Sequence, residues 1–229
     1  LATTAWRTAF LPVVCVLAAV AVLFVVWNTE PYELRRVRLD PGRTVGRIVA
    51  SREQREMLLA FSLFYFFTGG LTNFFPTLLV ARGFSEAAAG GSFALLFVVG
   101  LVMKPAAGNI SDRFSRLGVA IGGLAVTTAG IASVLLAPTL AVVALGTVLT
   151  AVGYKAQLPI VDALVMEAAP EGNTGGDLGA ARAAFLGANA LGPGAVGVIA
   201  DFAGFEAAFV VLSGGLVVGG AVLVRSARR

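Results

Sequence analysis

The sequence contains no histidine and a single cysteine, Cys15. Without histidine, the commonest general base and the commonest metal ligand are both gone. Zinc sites, haem pockets and Ser-His chemistry lose their usual components. One cysteine cannot close a disulfide within the chain. Charge is scarce as well: 13% of the 229 residues are charged and 58% are hydrophobic, against about 25% charged in an average soluble domain. A soluble fold cannot hide that much apolar surface, so the solvent must be lipid. A bilayer core is about 30 Å thick and takes roughly 20 apolar residues per helical span. No G-x-x-x-x-G-K-[ST] loop is present, which leaves direct ATP drive unsupported. The net charge of +4 does not call for nucleic acid, because membrane proteins collect basic residues in their cytoplasmic loops. The expectation is a membrane protein that is not an enzyme and needs neither metal nor cofactor.

What is present is a series of long uncharged runs. Residues 8–27 are long enough to span, and no small-residue cleavage site marks them as a signal peptide. Residues 28–56 are polar and carry Arg35, Arg36, Arg38, Arg43, Arg47, Arg52 and Arg55. Further runs follow at 57–81 and at 87–103, the latter closed by Lys104, and then a polar turn at 108–116. Residues 117–154 hold no charge, too long for one span, and Pro138 divides them. Proline fixes its own φ and disfavours helix in the preceding residue, which predicts helices at 117–137 and 139–166. A Gly- and acid-rich loop at 167–177 and runs at 183–200 and 207–224 complete seven spans, and the tail is basic.

The positive-inside rule orients these spans. With 28–56 in the cytoplasm, the same side receives Lys104, Arg113, Arg116, Arg182, Arg225, Arg228 and Arg229, while the other side receives Arg7 and Arg82. The first residue therefore falls outside and the C-terminus in the cytoplasm of a multi-pass cell-membrane protein. Glycines within the runs, among them Gly69, Gly70, Gly122 and Gly123, suit close helix packing where lipid supplies no drive to associate.

Residues 108–118 read GNISDRFSRLG. This resembles the loop motif G-x-x-x-D-R-x-G-R-R of the major facilitator superfamily, with Gly108, Asp112, Arg113 and Arg116 matching. Ser115 stands where Gly is usual, and Leu117 where a basic residue is usual. The motif normally joins the second and third helices of a six-helix half. The resemblance therefore implies an all-α transmembrane bundle with three parts: the last helix of an N-terminal half at 1–27, a cytoplasmic linker at 28–56, and a C-terminal six-helix half with basic tail at 57–229. The chain begins at Leu1 and is read as a fragment, its partner being the missing N-terminal half of the same protein. The motif's arginines are expected to pair with a carboxylate on a neighbouring helix, Glu167 being the candidate, and so to form a gate with Gly108 in the turn. Asp112 is expected to accept from helix-end N–H groups.

A second pattern is internal. Gly108-x-Ile110-x-Asp112 ends the third run and Gly197-x-Ile199-x-Asp201 ends the sixth. Spans 2–4 and 5–7 then read as related three-helix units of inverted topology, a known transporter design. The stretch Gly192-Pro193-Gly194 marks a bendable, closely packed helix.

Ionisable groups at bilayer depth are costly and usually face a cavity or one another. The fifth run holds Tyr154, Lys155, Gln157 and Asp162. Lys155 and Asp162 lie on nearly one face, about 10 Å apart along the axis. The resemblance places the second and fifth spans on the cavity, so Asn73, Tyr154, Lys155, Gln157 and Asp162, with Asn189 on the sixth span, are the candidate substrate contacts. Lys155 suggests an anionic or carbonyl-bearing solute, and Asp162 is a candidate carrier of a coupling proton. The aromatic group Phe64, Tyr65, Phe66, Phe67, Phe74 and Phe75 reads first as packing. The expected function is a secondary active transporter moving a small solute by alternating access, ion-coupled, with efflux favoured. The alternative is a seven-helix receptor or retinal-type protein, which the absence of lysine from 207–224 opposes.

Overall fold

The computed structural model describes residues 8, 10–28, 41–170 and 173–228. Arg7, the linker residues 29–40 with Arg35, Arg36 and Arg38, positions 171–172 of the acid-rich loop, and Arg229 lie outside the described residues. All regular structure among the described residues is helical: α1 (Leu11–Trp27), α2 (Pro41–Ala50), α3 (Arg52–Ala81), α4 (Glu86–Arg113), α5 (Arg116–Leu135), α6 (Leu140–Ala168) and α7 (Thr174–Ala227). The chain divides into two units, residues 1–39 and 40–229.

In the first unit, α1 is an uncharged helix that Pro12 opens within its first two positions, where the missing N–H costs nothing. The second unit holds the rest. Helices α3 to α7 are each long and apolar enough to cross a membrane. Helix α7, at 54 residues, is two helices joined at Gly204, whose φ of 83° and ψ of 165° are not helical. A residue with a Cβ is strained there. The break gives segments 174–203 and 205–227, so the unit crosses six times.

Local chemistry sets the ends. Ser51, Ser85 and Ser115 each cap a helix, their hydroxyls accepting from the backbone N–H groups of Gln54, Ala88 and Gly118. The break at Pro138 falls where expected, between Leu135 and Leu140. Other boundaries differ. Helix α4 runs ten residues beyond 103, through Lys104 and Pro105 to Arg113. A charge ends an apolar run but not a hydrogen-bonded helix. The polar turn expected at 108–116 therefore shrinks to Phe114 and Ser115, and Gly108 is helical. The acid-rich loop shortens too, because α7 already begins at Thr174. Within the polar stretch 28–56, residues 41–50 form the amphipathic helix α2.

The packing is symmetric between α3–α5 and the set formed by α6 with the two α7 segments. Helix α3 packs on both α7 segments: a Cβ at Gly192 would overlap the Phe66 carbonyl, and one at Gly219 would meet the Ala60 carbonyl. Helix α6 packs in the same way on α4, where Gly100 receives the Lys155 side chain, and on α5, where Gly130 abuts Gly146 and Thr150. The first helix of each triplet thus embraces the second and third of the other. Interior prolines fall on the first two members of each triplet (Pro76 and Pro105, Pro159 and Pro193) and on neither third member. The helix breaks at Ser115 and at Gly204 lie at equal distances beyond Asp112 and Asp201. The fold is a six-helix half of inverted three-helix repeats, as the Gly-x-Ile-x-Asp pattern suggests.

The core centres on α3, where Phe61, Phe64, Phe67 and Phe75 are fully buried. Phe64 and Tyr65 meet edge to face at 5.4 Å. Large apolar side chains such as Leu101, Val102, Leu191, Val198 and Val211 face outward, as lipid requires.

Candidate functional site

At the end of the bundle that carries the Gly108–Arg116 motif, the α4–α5 turn brings three charges together. Arg116, in the first turn of α5, donates to the Glu167 carboxylate at the end of α6. Its other terminal nitrogen lies 3.4 Å from Asp112. The Arg116–Glu167 contact is thus present in the folded chain. Asp112 does not cap the next helix; Ser115 does, at the position where the family motif has Gly. Arg113 is exposed, and Gly108 leaves open space where a Cβ would stand.

The opposite end carries a matching pair. Arg82, just past α3, lies 2.9 Å from Glu206 at the start of the second α7 segment, and donates to the carbonyls of Val134, near the end of α5, and of Ala137 just beyond it (3.0 Å). In each case the pair joins the end of a first helix to the start of the other triplet's third, with acid and base exchanged. Arg82, one of two basic residues assigned to the sparsely charged side, thereby has a structural reason to be there.

A third cluster fixes α2. Asp177, 1% exposed, accepts from Arg47 on α2 and from Asn173 (2.9 Å). Gln54 donates to the Ala168 carbonyl at 2.8 Å. Ile48 and Thr44 are buried on the same side of α2. These groups were invisible as a set in the sequence; the signal available was the spacing of Val45, Ile48 and Val49 within an arginine-rich stretch.

Of the candidates at membrane depth, Asp162 lines a cavity of about 250 Å³ with Tyr65, Leu158, Arg182, Phe185 and Leu186. Its carboxylate takes two bonds from Arg182, the first from Nε at 3.2 Å. The Tyr65 and Phe185 rings stack at 5.1 Å with an interplanar angle of 1°. The other candidates are held by packing. Asn73 donates to the Gly69 carbonyl of its own helix at 2.8 Å. Asn189 donates to the Tyr65 carbonyl and the Thr68 hydroxyl, both at 3.1 Å, joining α7 to α3. Gln157 is buried and donates to the Ala120 carbonyl on α5. Lys155 is 4% exposed. Its ammonium sits 4.1 Å from the Tyr154 ring centroid and 4.4 Å from that of Phe97. No carboxylate pairs with it among the described residues. Sequence reasoning missed Arg182, which read as a loop charge because α7 was expected to start at 183.

A bundle of this kind, with inverted triplets, a charged pair at each end and ionisable groups at membrane depth, defines a polytopic membrane protein built on a carrier-type half. The sequence profile described as Major Facilitator Superfamily matches residues 1–131 and 57–229. The chain belongs to this superfamily. Among solved structures it is similar to the crystal structure of a Major Facilitator Superfamily (MFS) transporter, FucP, in the outward conformation, with a TM-score of 0.71 and 16% identity over 95% of this chain and 53% of that one. At that identity the likeness is one of fold, and this chain spans about half the length of that structure. No curated protein matches.

Proposed function

We propose that the chain is part of a secondary transporter that moves a small solute by alternating access, a site near mid-membrane opening to one side at a time. The superfamily is one of transporters rather than enzymes, and the similar solved structure is described as a transporter in an outward conformation. In this reading, 57–229 is the C-terminal six-helix half, 28–56 the cytoplasmic linker, and α1 the last helix of an N-terminal half that completes the cavity. The basic residues put the motif turn, α2 and the C-terminus in the cytoplasm and Arg82 outside.

The observation that carries the gate role is the Arg116–Glu167 ion pair, with Asp112 beside it, at the motif end of the bundle. It ties α5 to α6 at the inner face, so that half of the protein rocks as one body. The solute path runs beside α3, α6 and the first α7 segment, where Asp162 meets the cavity. Asn73, Tyr154, Gln157 and Asn189 shape that path by holding the helices around it. Lys155, on α6, is a candidate contact for the solute in the other gate state. Asp162 is the carboxylate on the path for a coupling proton, and efflux is the favoured direction. A retinal-type reading finds no lysine in 205–227 and no support from the family.

Vesicles holding the full-length protein test this reading, with solute movement followed with and without a proton gradient. Arg116→Gln is expected to slow turnover at least about tenfold while leaving membrane insertion intact, since one charged partner of the pair that ties α5 to α6 is lost. Unchanged turnover would remove the gate role.

A further inference from the structure

Arg182 offers chemistry that no part of the family motif accounts for. It sits on α7 about 12 Å from the start of that helix, and Asp162 sits about 9 Å from the end of α6, taking 1.5 Å per residue. Both are therefore well inside the bundle's length. Asp162 occupies one edge of the guanidinium, through Nε and Nη2. A guanidinium has five donors in a fixed fork, so the edge formed by Nη1 and the second N–H of Nη2 is left over. No other acceptor among the described residues takes it. The side chain is 57% exposed and lines the ≈ 250 Å³ cavity. The remaining walls are apolar or aromatic: Leu158, Leu186, and the stacked Tyr65 and Phe185.

We propose that this cavity binds a small monocarboxylate, its two oxygens on the free edge of Arg182 and its hydrocarbon or aromatic body against Leu158, Leu186 and Phe185. Asp162 is a positioning residue: it pins the guanidinium so that its free edge stays turned to the cavity, and it offsets the charge when the site is empty. The fork geometry suits a carboxylate better than a point cation would. Neutral isosteres supply no charge for Arg182, and organic cations are repelled by it. This deepens the carrier reading and rests on it for the claim that the bound acid is also moved.

The test is equilibrium binding of radiolabelled benzoate to the purified full-length protein, with competition by benzoate, butyrate and benzamide. Binding is expected that both acids displace and the neutral amide does not. Arg182→Gln is expected to weaken binding at least about tenfold, through loss of charged hydrogen bonds. Arg182→Lys, which keeps the charge and with it the fold, is expected to weaken it several-fold through loss of the fork. Binding that benzamide displaces equally, binding unchanged in both Arg182 variants, or no binding of either acid would overturn the proposal. Counterflow in vesicles separates this from the parent reading. Transport of a neutral or cationic solute without dependence on Arg182 ends the carboxylate assignment and keeps the carrier. Benzoate binding with no counterflow of any solute class keeps the site and ends the carrier.

Discussion

Two of the cations within the spanning helices, Lys155 and Arg182, are treated in opposite ways by the bundle. Lys155 is folded into the α4–α6 contact, its stem against Gly100 and its ammonium between the rings of Phe97 and Tyr154, without a carboxylate partner among the described residues. Arg182 has a carboxylate on one edge and open cavity on the other. Burial of an unpaired charge in a bilayer costs about 2.5–3.5 kcal/mol on insertion scales, and each of the two cation–π contacts returns about 0.5–2 kcal/mol. Lys155 is therefore held close to balance by its two rings. Arg182 is paired with Asp162 through two hydrogen bonds, and its second edge meets no acceptor among the described residues. The lesson is that depth in the membrane does not by itself mark the group that meets a ligand. The open valence does.

That contrast can be broken or sharpened by substitution. The largest effect is expected from Arg182→Gln in the benzoate assay, with Lys155→Gln staying within about twofold of the unmodified protein in the same assay, because its ammonium sits between two rings and does not line the Asp162–Arg182 cavity. An equal loss in both variants would erase the distinction and make Lys155 a contact. Asp162→Asn should come next, at about threefold weaker binding: the carboxylate that orients the guanidinium is replaced by a weaker acceptor. Lys155→Met, an apolar side chain of similar length, should leave the thermal midpoint within a few degrees, because the desolvation cost and the two ring contacts nearly cancel. A midpoint lowered by more than that would mean that the aromatic cover stabilises the ammonium more than desolvation costs. Gly100→Ala is the mildest. Its Cβ would meet the Lys155 stem at 3.0 Å, and a flexible chain gives way for less than about 0.5 kcal/mol, measurable as a midpoint unchanged within about 2 °C.

Much of the fold was legible because lipid simplifies the code. Uncharged runs located all six crossings of the second unit, Pro138 marked its break, and the repeated Gly-x-Ile-x-Asp anticipated the inverted triplets. The Arg116–Glu167 pair was legible because motif and topology left few carboxylates within reach. Helix ends were not: Lys104 closed an apolar run but α4 continued to Arg113, and α7 began nine residues before the apolar run it contains. Both errors come from equating hydrophobicity with helicity, and the second hid Arg182. Asn189 and Gln157 looked like cavity residues because polar groups in spans often are. In the structure they bridge helices that glycines bring close, a use visible only once Gly69 and Gly123 are seen against their neighbours. Helix α2 was hidden by its arginines, one of which reaches the buried Asp177.

The account rests on the α4–α5 turn lying at the inner membrane face while the Arg82 end faces out. In a background free of other cysteines, Cys15→Ser included, Phe114→Cys and Glu86→Cys variants should be probed separately in intact cells with a membrane-impermeant maleimide. The account predicts labelling at 86 in intact cells and at 114 only after the membrane is opened. Labelling at 114 in intact cells, with 86 protected, would contradict it.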